Sequence, residues 1–583
     1  MLYVTYSRSL AQQAEEYFRA FGPVGTSVDV VTFEEFLLEL ADTPDPIDFL
    51  RAEEGAVELG AHLRSFRQPL APWDDRWDEL YAELHAYVVG RALPIPFRSL
   101  PAAAGLTLTA DAYRAIRNGT VPDAGIDRLF AVSRFLADKG ALPGLLPGPT
   151  HAARLIRPPD VPPPPRFRDV AWVFVDEVQD LTQVELLLLL SVTARIGRHS
   201  GAMPGMVIAG DEAQTVRPTD FQWGWLGDLI ETTLGSRLGR RQDFQLTSNV
   251  RSPVAIGSVV EKSWERYRLF DKERRPSGYV YTSSDESVPG RVLYSWAAND
   301  QEWADLVAFF DTHPGAQLVY PGYRLPPDLA GGEVDILTSE QAKGLDYQIV
   351  GVVDAGRRQQ ELAELSDKAE SEPLHGLWGR TLADQFRVAL SRPTETLLFL
   401  DRDENFAGWV RDLCGTEMDD VLEEVDVADA ILLLGQDTTD VDEVLTGLLH
   451  EIRRIIDEQP DRALRRARTA AGVLNRSETE GEISSDLVAE CHRLRGVAAA
   501  LVVRRHRQRR SPDEVALLER EAASNMAAAG LKDLYAHILV AQRATTAVPT
   551  SPTILPAVTA AAGQYGAVVA KLPELEADFR TGM

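Results

Sequence analysis

Hydrophobic and polar positions fall into two textures along the chain. Up to about residue 410, short apolar runs alternate with segments of helical period. LYVTY reads as a strand, SLAQQAEEYFRAF as a helix, VDVVTF as a second strand and EEFLLELA as a second helix. Residues 75–165 read as mostly helical, with WDELYAELHAYVV, ADAYRAI and GIDRLFAVSRFLADKG spacing their large side chains for burial. The stretch from Pro158 to Pro165 is neither helix nor central strand, because proline fixes φ and lacks an N–H; it reads as a stiff connector. VAWVFVD and GMVIAGD follow, each an almost continuous apolar run that ends in acid, the pattern of parallel strands buried on both faces. A second α/β stretch covers about 290–403: RVLYSW, a helix through EWADLVAFF, then AQLVYPG, VDILTS, IVGVVDA and TLLFLD. After 415 the strand signals vanish and Ala, Leu, Arg and Glu dominate. That region reads as helical, acidic at first (MDDVLEEVDVAD) and basic later (RALRRAR, VVRRHRQRR), with a packed helix hairpin around the basic cluster.

The expected fold class is therefore α/β, with doubly wound parallel sheets followed by an all-helical region. A chain of 583 residues exceeds what one core supports, so several domains are expected. No run of about 18 apolar residues occurs, which predicts no membrane span. The N-terminus lacks a basic, then apolar, leader pattern. Two cysteines, Cys414 and Cys491, exclude a disulfide framework and a cysteine-based zinc site, and fit a reducing, cytoplasmic location. The formal net charge of −28 argues against broad nucleic-acid binding but leaves room for a local basic groove. Arg237, Arg240, Arg241 and the run Arg504 to Arg510 are its candidates, although such a run can equally be a solvated helix end.

The chemistry concentrates in VFVDEVQD, residues 173–180, where an apolar strand stops at Asp176 and Glu177. Acids at the carboxyl edge of a parallel strand stand where ligands bind in open α/β sheets. Such a pair can hold Mg²⁺ and polarise a water, or can be a solvated loop with Asp and Thr capping the next helix. Four further stretches follow in order: GDEAQTVRPTDFQWG (210–224), LTSNVRSP (246–253), ILTSEQAKGLDYQIVGVVD (336–354) and FRVALSRPTETLLFLD (386–401).

This ordered series resembles the superfamily 1 helicases of the UvrD/Rep type. VFVDEVQD is similar to their motif II (Walker B), GDEAQ to motif III, LTSNVRS to motif IV, LTSEQAKGLDY to motif V, VALSRPTETL to motif VI and VTYSRSLA to motif Ia. Within that group, VDEVQDLTQVELLLLL and the helical insert before it look most like the UvrD-like module of tetratricopeptide- and ankyrin-repeat helicase-like proteins. The resemblance covers about residues 1–403. It implies a RecA-like domain over 1–70 and 166–252, a helical insert over 71–165, a second RecA-like domain over 253–410 without a large further insert, and a helical region over 411–583.

It also implies roles. Asp176 coordinates Mg²⁺ and Glu177 is the general base. Gln214 senses the γ-phosphate of ATP; Arg251 and Arg392 are arginine fingers. Lys343, Gly344 and Asp346 are cofactor-binding, with Asp346 at the ribose position. Thr5, Tyr6 and Thr338 fall at nucleic-acid-contacting positions, and Phe221 or Trp223 could stack on a base. Taken singly, the arginines could simply pair with acids, and Phe221 and Trp223 could be core.

The sequence departs from the family in four places. No Gly-Lys-Ser/Thr occurs, so the phosphate-cradling loop expected before motif Ia is missing: the start is mis-set or truncated, the loop sits on a separate polypeptide, or the ATPase is degenerate. Val250 replaces an adenine-stacking tyrosine, Glu340 replaces a histidine and would face DNA phosphate unfavourably, and the interval from Pro253 to Glu333 is short. The function implied is an ATP-dependent 3′→5′ translocase or helicase on single-stranded or partly duplex DNA. The alternative is a non-hydrolysing nucleic-acid-binding or regulatory module of the same fold.

Overall fold

The computed structural model describes residues 1–22, 27–41, 52–74, 76–91, 108–117, 120–158, 160–235, 242–246, 248–249, 251–266, 270, 282–283, 290–313, 315–330, 335–371, 375–415, 422–435, 441–456, 459–477, 484–506 and 511–529. The chain divides into two compact units. One comprises Met1–Trp296, Val319–Pro327 and Leu337–Glu424; the other comprises Ala297–Leu318, Asp328–Ile336 and Val425–Met583. Arg237, Arg240, Arg241, Val250 and Arg507 to Arg510 lie outside the described residues.

The first unit opens with strands β1 (Leu2–Thr5), β2 (Asp29–Thr32), β3 (Trp172–Val175) and β4 (Gly205–Ile208). They pair in parallel in the order β2-β1-β3-β4. Leu2 lies opposite Val173, and Val4 opposite Val175; with Val31 these side chains are buried against Phe33 and Phe36 of helix Phe33–Ala41. The long helix Gln183–Ser200 starts at a capping box. There Thr182 N–H donates to Glu185 Oε2 at 2.6 Å, and Glu185 N–H donates back to Thr182 Oγ1 at 3.4 Å. Of the Asp and Thr that the sequence offers as caps of this helix, Thr182 is the one that caps it.

Between β2 and β3 the chain is helical among the described residues. Helix Trp77–Glu83 runs into a π-helical turn, Leu84–Val89, and helices Ala110–Arg117, Asp123–Asp138 and Pro147–Leu155 follow. Trp73, Leu80, Tyr113, Ile126 and Leu129 are buried among them. Buried Glu83 accepts from Tyr113 Oη at 2.6 Å and from Arg117 Nη2 at 2.7 Å, while Tyr87 Oη donates to Asp220 at 2.6 Å.

Eight further strands follow among the described residues. β5 (Ser248–Asn249) and β6 (Thr282–Ser283) form a two-residue parallel pair. β7 (Arg291–Trp296), β8 (Ala316–Tyr320), β9 (Ile336–Thr338), β10 (Tyr347–Val353), β11 (Pro393–Asp401) and β12 (Leu422–Glu424) form a six-stranded sheet. Its order is β12-β7-β11-β10-β8-β9, and β10 pairs with β11, β11 with β7 and β7 with β12 in parallel. The chain passes between the two units after Trp296, Leu318, Pro327, Ile336 and Glu424. Helix His375–Leu390, with Leu382, Phe386 and Leu390 fully buried, connects to β11. β12 corrects the expectation that strands end before 415: Leu-Glu-Glu, with both glutamates exposed, is an edge strand too short and polar to leave a period in the sequence.

The second unit contains helices Asp300–Thr312, Val427–Leu434, Val441–Ile455, Pro460–Ser477, Ser485–His506 and Pro512–Ala528. The last four share one apolar core, including Leu448, Ile452, Ala467, Val497 and Ala522. Two buried arginines anchor helix Pro460–Ser477. Arg462 donates to Asp335 Oδ2 at 2.9 Å and to Glu451 Oε1 at 2.6 Å; Arg466 donates to Phe310 O at 2.9 Å. Burial works against the Asp335 charge, yet Arg462, Arg466 and Arg465 hold its carboxyl at about 2. Among the described residues no helix is long and apolar enough to cross a membrane.

Candidate active site

The site is built where β3 leaves the first sheet. Asp176 N–H still donates to Val4 O at 2.9 Å, which continues the strand pairing. Glu177 then adopts a left-handed conformation, φ 52°, and a 3₁₀ turn over Val178–Asp180 follows. Few non-glycine residues hold that backbone, so the carboxylate is aimed by a fixed, sharp turn. The Asp176 carboxylate accepts from Tyr3 Oη at 2.5 Å and from Glu177 N–H at 2.9 Å. Burial raises its pKa above the ordinary aspartate value, opposed by the Tyr3 hydroxyl and aided by the neighbouring Glu177 charge.

Glu177 is treated differently by its surroundings. Its Oε2 accepts from the Gln179 amide and lies 3.2 Å from Lys343 Nζ. Burial works against its charge, but Lys343, Gln179 and Arg392 together hold its pKa below the ordinary glutamate value. Two adjacent carboxyls are thus driven in opposite directions, the arrangement that separates acid–base roles in catalytic pairs. Asp180, fully buried, accepts from Lys343 Nζ and from Val216 N–H at 3.1 Å, and burial raises its pKa. Lys343 also donates to Gln214 O at 2.7 Å. Desolvation alone would lower the lysine, but Asp180 and Glu177 raise it, so the ammonium stays charged.

Gln214 closes a 3₁₀ turn, Glu212–Gln214, just beyond β4. Its Nε2 donates to Asp211 Oδ2 at 2.9 Å, and its Oε1 accepts from Arg392 Nη2 at 3.0 Å. Arg392, 1% exposed, is braced by Val388 O at 3.0 Å. Arg251 and Asp346 form a separate, half-exposed pair at 3.0 Å. Gly344 has φ +75°, and a Cβ there would stand 2.6 Å from Leu10 Cγ, so both conformation and space require glycine.

Glu177, Gln214, Lys343 and Arg392 are therefore in direct contact, although they come from four separate stretches of sequence. The remaining candidates are placed otherwise. Thr5 is buried in β1. Thr338 is buried and caps helix Ser339–Ala342, its Oγ1 accepting from Gln341 N–H at 3.4 Å. Tyr6 lies under Arg217, 4.9 Å from guanidinium carbon to ring centre. Phe221 is 0% exposed and packs edge-on against Trp223 and Trp225, each at 5.2 Å. That ring is an apolar plug under helix Trp223–Leu234 and presents no face to a base; Trp223 is only partly buried. Burial works against the charge of Arg217, while Tyr6, Glu185, Tyr81 and, least, Glu340 raise its pKa.

Several participants escaped the sequence reading. Tyr3 and Gln179, which hold the two carboxylates, sit in an ordinary-looking strand and turn. Asp180 was visible as a third acid in VFVDEVQD, but its pairing with a lysine 163 positions away was not. Arg217 forms a further buried brace: it donates to Asp180 O at 3.1 Å and to His85 Nε2 at 2.9 Å. Burial and Arg217 keep His85 neutral, with Nδ1 donating to Pro218 O at 3.1 Å.

No family model matches the chain. It is similar in part to a glutamate–tRNA ligase of Haloarcula marismortui. The identity is 30% over 133 residues, which covers 21% of this chain and 22% of that ligase. The chain thus spans less than a quarter of the curated relative that it matches.

Proposed function

We propose that the first unit is the RecA-like core of a UvrD/Rep-type ATPase that acts on single-stranded DNA. The observation that carries this reading is the convergence of Lys343 and Arg392, from the segments around the second sheet, on Glu177 and Gln214 at the edge of the first. Hydrolysis of a phosphoanhydride requires little covalent chemistry from the protein; it requires a positioned water and positive charge around the phosphates. Glu177, held ionised, accepts the proton of the attacking water. Arg392 and Arg251 offset the charge that develops on the terminal phosphate. Gln214, bonded to Arg392, couples the two halves of the site.

The donor set fits magnesium only in part. Asp176 and Glu177 supply two carboxylates, and no cluster of three or more metal-binding side chains occurs among the described residues. Magnesium typically takes one or two carboxylates and completes its shell with water and nucleotide phosphate, so this set suits a nucleotide-borne ion. When bound, that ion would neutralise phosphate charge. Asp176 would hold it.

One observation favours the non-hydrolysing alternative. Lys343 already satisfies Glu177 and Asp180. Single-stranded-DNA-stimulated ATP turnover separates the two readings. The ATPase reading expects turnover that is lost in Glu177→Gln. Absence of turnover together with retained DNA binding supports the binding module.

A further inference from the structure

The helical segment between β2 and β3 reaches the site through an irregular turn. Every residue of the π-helical turn Leu84–Val89 is buried, and single π turns set in α-helices recur at functional positions. The end of the turn lies against the chain just past Asp180. There Val184 N–H donates to Gly90 O at 2.9 Å, and a Cβ on Gly90 would stand 2.9 Å from Thr182 Cγ2. Two side chains of the turn, His85 and Tyr87, reach the segment that follows Gln214. Tyr87 Oη donates to Asp220 Oδ2 at 2.6 Å, and Asp220, with φ 52°, also accepts from Arg380 Nη2 at 2.5 Å.

The partners of His85 leave it one tautomer. Pro218 O can only accept, so Nδ1 carries the proton and donates to it at 3.1 Å; Arg217 can only donate, so Nε2 accepts from its Nη2 at 2.9 Å. Fixed from that side, Arg217 donates through Nη1 to Asp180 O at 3.1 Å and lies 3.8 Å from Glu185 Oε1. Its neighbours bind the same stretch: Val216 N–H donates to Asp180 Oδ1 at 3.1 Å, and Thr219 Oγ1 to Gln179 O at 2.5 Å. The other oxygen of Asp180 accepts from Lys343 Nζ, which stands 3.2 Å from Glu177 Oε2. Contacts thus run in order from His85 through Arg217, Asp180 and Lys343 to Glu177. His85, Arg217, Asp180 and Lys343 are all buried, so water does not readily replace a lost link.

We propose that His85 is a positioning residue for the candidate base: by fixing Arg217 it holds Asp180 and Lys343 in place, and through them sets where the Glu177 carboxylate stands. The π-helical turn thereby ties the helical segment between β2 and β3 to the chemistry at the edge of the first sheet. The link itself rests on the contacts alone; its effect on turnover rests on the ATPase reading above.

Three substitutions in the full chain separate the two contacts of the imidazole. His85→Gln keeps an acceptor near the Nε2 position for Arg217; His85→Asn keeps only a donor near Nδ1 for Pro218 O; His85→Leu keeps neither. Two readouts need no nucleotide: hydrogen exchange at the Val216 amide, and acetylation of buried Lys343 by an N-hydroxysuccinimide ester, with exposed Lys139 as internal reference. Both should rise by about fivefold or more in His85→Leu and His85→Asn, and stay within about twofold of wild type in His85→Gln. Single-stranded-DNA-stimulated ATP turnover should follow the same order, with kcat down by about tenfold in Leu and Asn, KM for ATP little changed, and recovery in Gln. Arg217→Lys, which keeps the charge but not the fork that spans His85 and Asp180, should raise both nucleotide-free readouts as well, so the test survives a His85 variant that does not fold. The proposal is overturned if Val216 and Lys343 behave as in the wild type in His85→Leu or in Arg217→Lys. It is also overturned if all three His85 variants lose protection equally, the result of a packing role alone. Wild-type turnover with Val216 and Lys343 unmoved in His85→Leu keeps the ATPase reading and sinks this one. A wild type that hydrolyses no ATP, with the Val216 and Lys343 readouts ordered as above, does the reverse.

Discussion

Both parallel sheets end in acid, yet their two edges behave in opposite ways. At the first, Glu177 lies against Lys343 and is held below its ordinary pKa. At the second, Asp401 ends β11 beside Asp354, which has φ 56°. Asp401 is 2% exposed, and burial followed by the Asp354 charge pushes it up to about 7, against the Gly356 N–H and Arg357. The sequence patterns are alike: an apolar run and then aspartate, in FVDE and in LFLD. A strand-end acid therefore marks the edge of a sheet. What singles out the first edge is a buried lysine from a distant segment laid against its glutamate, with Gln214 bonded both to that lysine and to Arg392.

The largest effect should come from removing the charge that distinguishes the first edge. Lys343→Ala leaves Glu177 and Asp180 buried without their ammonium, and should destabilise the protein by about 3–5 kcal/mol in urea unfolding. Adding Asp180→Asn should recover a good part of that loss. A loss under about 1 kcal/mol would mean that the cluster is not held together by charge.

The second edge should respond with the opposite sign. The folded-state pKa of Asp401 is raised, so the folded protein binds a proton more readily than the unfolded chain, and stability falls as pH rises from about 4 through 7. Asp401→Asn should remove that slope. It should stabilise the protein at pH 8 by up to about 4 kcal/mol and change little at pH 4. A variant less stable at pH 8 than the wild type would contradict the assignment.

Smaller effects sharpen the contrast between buried and exposed parts of the site. Thr182→Ala removes the capping box that starts helix Gln183–Ser200 and should cost about 1 kcal/mol in thermal unfolding. Arg251→Ala breaks a half-exposed pair with Asp346 and should change stability by less than about 1 kcal/mol. A larger stability loss would place Arg251 in the structural core rather than at the surface.

The legible and illegible parts of this molecule divide along physical lines. The parallel strands were readable from continuous apolar runs, and IVGVV is buried throughout, but burial on both faces fails for VAWVFV and GMVI, where Trp172 is 47% and Val207 41% exposed. The start of helix Gln183–Ser200 was readable at Thr182 as a capping residue, whereas its reciprocal bond with Glu185 emerged only in the structure. β12 was not, because an edge strand of Leu-Glu-Glu has no period to detect. Phe221 was ambiguous, since an aromatic beside a strand-end acid can be a platform or a plug, and only burial decides. Pairings such as Lys343 with Asp180, or Arg217 with His85, join residues more than a hundred positions apart, and nothing local specifies them.

The most direct test measures single-stranded-DNA-stimulated ATP hydrolysis of Glu177→Gln and Asp401→Asn side by side. If the chemistry belongs to the first edge, Glu177→Gln loses turnover by about 10²-fold or more, within the usual range for a general base. Asp401→Asn keeps wild-type turnover at neutral pH. Turnover that survives Glu177→Gln, or that falls equally in both variants, would contradict the account, as would a wild-type chain that hydrolyses no ATP under any of these conditions.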